Sequence, residues 1–227
     1  MSTTTKKAYV YKMDLVAANV LGTVIFILLM VFSFFINANM LLDMNLGVML
    51  IVMILYLALH EFLHGVGYLL GGTKKENISF GIALEKGILY CMAYQEITKK
   101  NILISLQMPF VVIGVITYII GYFFNISLLI WLSIINLIGA SMDLMMFLYI
   151  WRLPKDTVYS ESGNPDEFVL ISSEDLTKKK SLYFKIVDTK DYKKSDYQFK
   201  DIKKISISKT SYIVLAVLIG VAILSSI

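Results

Sequence analysis

The sequence predicts an all-α polytopic membrane protein of four to five transmembrane helices, with a short β-hairpin after the second helix and a small cytosolic α/β or β segment. Three observations predict it. Apolar residues make up 57% of the 227 and charged residues 17%, against roughly 45–50% and about 25% in soluble domains. Mean hydropathy is +0.71, and a soluble globule of this size has no interior able to hide so much apolar surface. Four windows, Leu15–Ile36, Leu46–Leu70, Asn101–Phe123 and Ser127–Trp151, each supply the ~20 mostly apolar residues that cross the hydrocarbon core. Disorder, a disulfide-stapled secreted scaffold and nucleic-acid binding are excluded as primary readings. The single Cys91 cannot form an internal disulfide.

Lysines order these spans. Lys6, Lys7 and Lys12 precede the first, which places the N-terminus in the cytoplasm by the positive-inside rule. That span is too long for the apolar region of a signal peptide, and no small-residue cleavage site follows it. The loop Asn37–Asn45 has no Lys or Arg and reads as external. In the second span Gly65 and Gly67 permit close helix packing, and Gly71 and Gly72 end the helix. The segment Gly71–Lys100 holds Lys74, Lys75, Lys86, Lys99 and Lys100 and so lies inside. Within it, Ile78–Leu84 and Ile88–Gln95 flank Glu85-Lys86-Gly87, a hairpin pattern; an ordinary loop against the bilayer fits equally well. Pro109 marks a kink in the third span.

The uncharged Phe124–Ile126 link is external, and Arg152–Lys209 returns to the cytosol with most of the lysines. Short alternating runs there, Glu167–Ile171 and Leu182–Val187, suggest strands. The runs Lys178–Lys180, Lys193–Lys194 and Lys203–Lys204 suit a solvated face or contact with anionic lipid. The chain thus divides into a membrane core over 1–151, a cytosolic segment over 152–208 and a C-terminal helix over 209–227, whose apolar run is Ser211–Ile227. Arg152 is the one arginine among 21 basic residues, a composition that suggests an AT-rich bacterial genome and hence a bacterial cytoplasmic membrane.

The chemistry sits in two spans. His60-Glu61-Phe62-Leu63-His64 is an H-E-x-x-H sequence, and the spacing of four puts both imidazoles on one helix face where they can share a tetrahedral zinc. Glu61, beside the first histidine, is placed to act on a water as general base. The chain has two histidines, and both are in this motif. A glutamate within a span costs about 2.5–3.5 kcal/mol or more, which function explains better than a metal-free packing pair does. Catalytic zinc takes three protein ligands, and Asp143 is the other charged residue well inside a span. His60 lies ~15 Å deep from Leu70 and Asp143 ~12 Å deep from Trp151, at 1.5 Å per residue, so the two meet at one level. Asn136, two turns before Asp143 on the same face, has two readings: a catalytic donor to a substrate carbonyl or its oxyanion, and interhelical glue.

His60-Glu61-x-x-His64 within a span, followed by Asp143 late in a downstream one, resembles the site-2-protease class of intramembrane zinc metalloproteases. More narrowly it is similar to a compact bacterial family of membrane zincins with small residues before the aspartate, as in Gly139-Ala140-Ser141-Met142-Asp143. The resemblance covers roughly Leu46 to Pro154. It implies that His60, His64 and Asp143 hold Zn2+, that Glu61 is the general base, and that the hairpin over Ile78–Gln95 presents substrate in extended form. The chain departs from the site-2 pattern around the aspartate, where Met142 and Leu144 stand in place of Leu and Gly and no Pro separates Asn136 from Asp143. It also has no PDZ-like domain. The function expected is an intramembrane zinc-dependent endopeptidase with a membrane protein or peptide as substrate and the lipid bilayer as its setting. A non-catalytic metal-binding membrane subunit and a metal-ion carrier are the alternatives.

Overall fold

The computed structural model describes residues 6–38, 40, 46–83, 88–162 and 167–193. The expected helix over 209–227 and the hairpin turn at Glu85-Lys86-Gly87 lie outside them. The chain runs β1 (Lys7–Met13), α1 (Leu15–Phe35), α2 (Leu46–Leu70), β2 (Ile78–Ala83), β3 (Ile88–Ala93), β4 (Ile97–Thr98) and α3 (Lys99–Pro109). A π-helical segment, Phe110–Ile116, then leads into α4 (Thr117–Phe123), α5 (Ser127–Gly139) and α6 (Ser141–Trp151). Strands β5 (Val158–Glu161), β6 (Glu167–Ser172) and β7 (Phe184–Asp191) complete the described chain.

Three helical stretches, Val16–Phe35, Gly47–Leu70 and Lys99–Phe123, are long and apolar enough to cross a membrane. The Ser127–Trp151 stretch expected as one straight span is instead a bent pair, α5 and α6 meeting at 51°. The break falls at Ala140, whose ψ of 8° leaves the helical range. Hydropathy alone does not register such a bend, because apolar content is unchanged across it. Many large apolar side chains of α1, among them Val16, Leu28 and Phe34, are exposed, as expected where a helix faces lipid rather than protein.

The all-α expectation needs correction. β1, β4, β5, β6 and β7 form one five-stranded sheet in the order β4-β5-β6-β1-β7, antiparallel at every pairing. It gathers a strand from before α1, one from before α3 and three from after α6. The runs expected as strands, Glu167–Ile171 and Leu182–Val187, overlap β6 and β7, while the pairings that join β6 and β7 to β1, and β5 to β4, across the helices have no local pattern. All three segments therefore lie at one end of the helices, in agreement with the lysine counts that put them on one side.

The inner face of the sheet packs on the helices. Tyr9, Tyr11, Phe168, Leu170 and Phe184 join Ile102, Leu106, Tyr149 and Ile150 in one buried cluster. Tyr11 stacks on Phe168 with ring centroids 5.2 Å apart, and its hydroxyl pairs with that of Tyr149 at 2.9 Å. Each such buried side chain contributes roughly 1.5–3 kcal/mol relative to exposure. Lys99 ties the two layers together. Its Nζ donates to the carbonyls of Trp151 (2.8 Å) and Leu153 (2.5 Å), satisfying acceptors at the C-terminus of α6 where a cation is favoured.

The expected hairpin is present as a separate two-stranded antiparallel sheet of β2 and β3. The Tyr94 N–H donates to the Asn77 carbonyl at 2.7 Å, which sets the phase of the ladder. Counting on from there, the backbone groups of Leu89, Cys91 and Ala93 point away from β2. β3 thus carries an outward-facing edge, and it packs against α2 and β5.

Candidate metal centre

Helix α2 presents His60 and His64 one turn apart, and α6 presents Asp143 in its first turn. The break at Ala140 brings that turn to the histidines, and an acidic side chain is favoured at a helix start. Three atoms converge. His60 Nε2 and His64 Nε2 are 3.2 Å apart, and Asp143 Oδ2 is 3.3 Å from the first and 3.4 Å from the second. Zinc bonds of ~2.0–2.1 Å in tetrahedral geometry set ligand atoms ~3.3 Å apart. The near-equilateral triangle has the dimensions of one face of that tetrahedron.

The protonation pattern around the triangle follows from groups with only one possible role. Asn136 Nδ2 donates to the Pro109 carbonyl at 2.9 Å, so its Oδ1 is the atom facing His60. His60 Nδ1–H therefore donates to Asn136 Oδ1 at 2.8 Å. His64 Nδ1–H donates to the Ser105 carbonyl at 3.0 Å. Both imidazoles are thus held in the tautomer whose Nε2 lone pair points at the other and at the Asp143 carboxylate. Three acceptors facing one another at 3.2–3.4 Å repel unless a cation lies among them. The donor set of two imidazoles and a carboxylate suits zinc with an open fourth position.

Pro109 explains why the Ser105 carbonyl is available. In an α-helix that oxygen would accept from the N–H four residues on, which is residue 109, and proline has none. The freed acceptor turns to His64, while Ser105 Oγ donates back to the His64 carbonyl at 3.0 Å. The helix continues after Pro109 as the π segment, whose Gly114 carbonyl accepts from Ser133 Oγ on α5. Pro109, expected to mark a kink, instead sits at the junction of α3 and the π segment within one continuous helical stretch, and it is a site feature as well. Restoring the N–H with Pro109→Ala is expected to weaken zinc binding about 10- to 100-fold, the usual cost of losing an outer partner of a ligand. Competition with a chelator measures this, and thermal stability should not fall, because alanine is the better helix former.

Glu61 stands in the same cavity, of about 400 Å³, with His60, His64 and Asp143. Its carboxylate takes a hydrogen bond from the backbone N–H of Cys91, a group on the outward edge of β3. Cys91 itself is buried and reduced. Burial raises its thiol well above the usual range, and the charges of Glu61 and Glu161 push it further. The sheet roofs this cavity with Met13, Tyr159, Glu161, Glu167 and Phe168.

His60, His64, Asp143, Glu61 and Asn136 are thus brought to one place, with Asn136 buried and both its amide atoms engaged by His60 and Pro109. That geometry ties Asn136 to His60 and to the Pro109 carbonyl. Ser105 and Glu161 are not evident from the sequence. A backbone carbonyl has no residue signature, although a proline four residues after a serine is a visible sign of a freed one.

No curated protein matches the chain, and neither does any solved structure. Residues 53–158, the stretch that carries His60, Glu61, His64 and Asp143, match the model of a family described as "Putative zincin peptidase", which supports a zinc-dependent peptidase.

Proposed function

We propose that the protein is an intramembrane zinc-dependent endopeptidase that hydrolyses peptide bonds of membrane-embedded or membrane-associated substrates. The observation that carries this reading is the triangle of Nε2, Nε2 and Oδ2 atoms, held with lone pairs inward beside the Glu61 carboxylate. A zinc ion held by His60, His64 and Asp143 supplies Lewis acidity toward a water and a scissile carbonyl. Glu61 takes the proton that the attacking water releases and gives it to the leaving amine. Asn136 and the Ser105 carbonyl keep the two imidazoles in the tautomer that binds metal.

The outward edge of β3 supports an extended substrate. Leu89, Cys91 and Ala93 offer ladder positions to an added strand, and the Cys91 N–H ties that edge to Glu61. A helical substrate has to unwind first, since its own hydrogen bonds occupy its carbonyls. The protein is an integral membrane protein of the bacterial cytoplasmic membrane in this reading, with its N-terminus and the sheet on the cytosolic side.

The test is zinc per chain in detergent-purified protein, beside cleavage of a co-reconstituted membrane substrate. About one zinc in the wild type is expected, with metal and cleavage both lost in His64→Ala and Asp143→Ala. A wild type that binds no zinc after chelator-free purification overturns the reading. Metal flux across proteoliposomes without any cleavage favours the carrier alternative instead.

A further inference from the structure

Glu161 is an acidic side chain that the chemistry above does not use. It is the last residue of β5, pairs in register with Phe168 of β6, and is only 7% exposed. Its carboxylate accepts a hydrogen bond from the Tyr159 hydroxyl, two residues earlier on the same strand face, and burial lifts it to about 7. It lines the same cavity as the metal centre, and none of the described residues lining that cavity is Lys or Arg. Tyr159, its side-chain hydrogen-bond partner among the described residues, is neutral. A buried carboxylate paired only with a neutral group carries a desolvation cost that a cation would offset. Glu161 also lies beside the path expected for substrate, because Cys91 on the outward edge of β3 feels the charge of Glu61 and of Glu161 together, and β3 contacts β5. An extended chain along β3 alternates its side chains between opposite faces, so while one face meets α2, the other meets the sheet roof.

From this placement we infer that Glu161 is a specificity residue, selecting substrates with a cationic group, an ammonium or guanidinium, next to the scissile bond. The inference rests on the peptidase reading of the site. The balance of the cavity favours it: Glu161 sits at the roof with space below it, no described lysine or arginine lines that space, and the candidate zinc ligands are a separate set of side chains.

The test uses the full-length zinc-loaded protein in detergent and fluorogenic peptides carrying Lys, norleucine or Glu at each position flanking the cleaved bond. Wild type is expected to prefer Lys over norleucine at one position by about 10- to 100-fold in kcat/KM, the range for a hydrogen bond to a charged group. Glu161→Gln, which keeps the shape and the Tyr159 contact, should erase the preference, and Glu161→Lys should transfer it to the Glu peptide. Acetylating the peptide N-terminus separates the two sources of an ammonium group. A preference that survives assigns it to the side chain, and one that vanishes assigns it to the terminal amine; either supports a cation site. The same ranking of peptides by wild type and Glu161→Gln overturns the inference. If wild type cleaves none of them, the peptidase reading fails separately, and binding to Glu61→Gln protein still decides: tighter binding of the Lys peptide, lost on adding Glu161→Gln, supports the cation site, and equal binding overturns it.

Discussion

Glu61→Gln is expected to leave zinc content unchanged while cutting cleavage by about 10²- to 10⁴-fold, the contribution of a positioned general base. The substitution is close to isosteric. The glutamine carbonyl can still accept the Cys91 N–H that the glutamate holds, so the outward edge of β3 stays where it is. The three candidate ligand atoms come from His60, His64 and Asp143, none of which is altered. What disappears is an oxygen basic enough to take a proton from water. Zinc analysis and single-turnover cleavage on the same preparation read the two effects apart. Cleavage that persists at the wild-type rate removes Glu61 from the proton transfer and with it the proposed mechanism.

Gly67→Ala is expected to be the most damaging methyl group that can be added to the chain near the centre. A Cβ at residue 67 would lie 2.5 Å from the Ser105 Cα, with the Ser105 N and Met108 Cγ each at 3.1 Å. The obstacle is backbone, so α2 and α3 must move apart. Overpacking of this kind costs typically 1–3 kcal/mol. Here it also displaces the Ser105 carbonyl that holds His64. Weakened zinc retention and a lowered thermal midpoint should appear together. Gly139→Ala is the control, because a Cβ there meets nothing within 4 Å, and it should retain both. A Gly67→Ala protein with wild-type zinc affinity would show that close approach of α2 and α3 is unimportant to the centre.

The helices are legible in the sequence because runs long and apolar enough to cross a membrane stand out by composition, and residues such as Val16 and Phe34 are left exposed on them. The histidines are legible because a five-residue window on one helix face contains both of them and Glu61. The approach of Asp143 can be argued from depth alone, but the bend at Ala140 that aims it cannot. Gly139, Ala140 and Ser141 are as compatible with a straight packed helix as with a broken one. β1 shows the opposite difficulty. Lys7-Ala8-Tyr9-Val10-Tyr11-Lys12 alternates in a strand-like way, yet its partners β6 and β7 are far off in sequence. Pairing at that range is decided by which faces the helices leave uncovered. Glu161 follows from the same cause, since it is paired with Phe168 across β5 and β6 where both line the cavity of the candidate centre.

The sheet also fixes an order of events during synthesis. β1 is made well before the strands that flank it, β6 and β7. Between Met13 and Glu167 lie roughly 150 residues, a delay of roughly 8–30 s at bacterial and eukaryotic translation rates. Throughout that interval α1 to α6 can insert while β1 waits with both edges unpaired. Glu161 and Phe168 line the cavity from strands made after α6, so the candidate centre on α2 and α6 stays without its roof until those strands have been made.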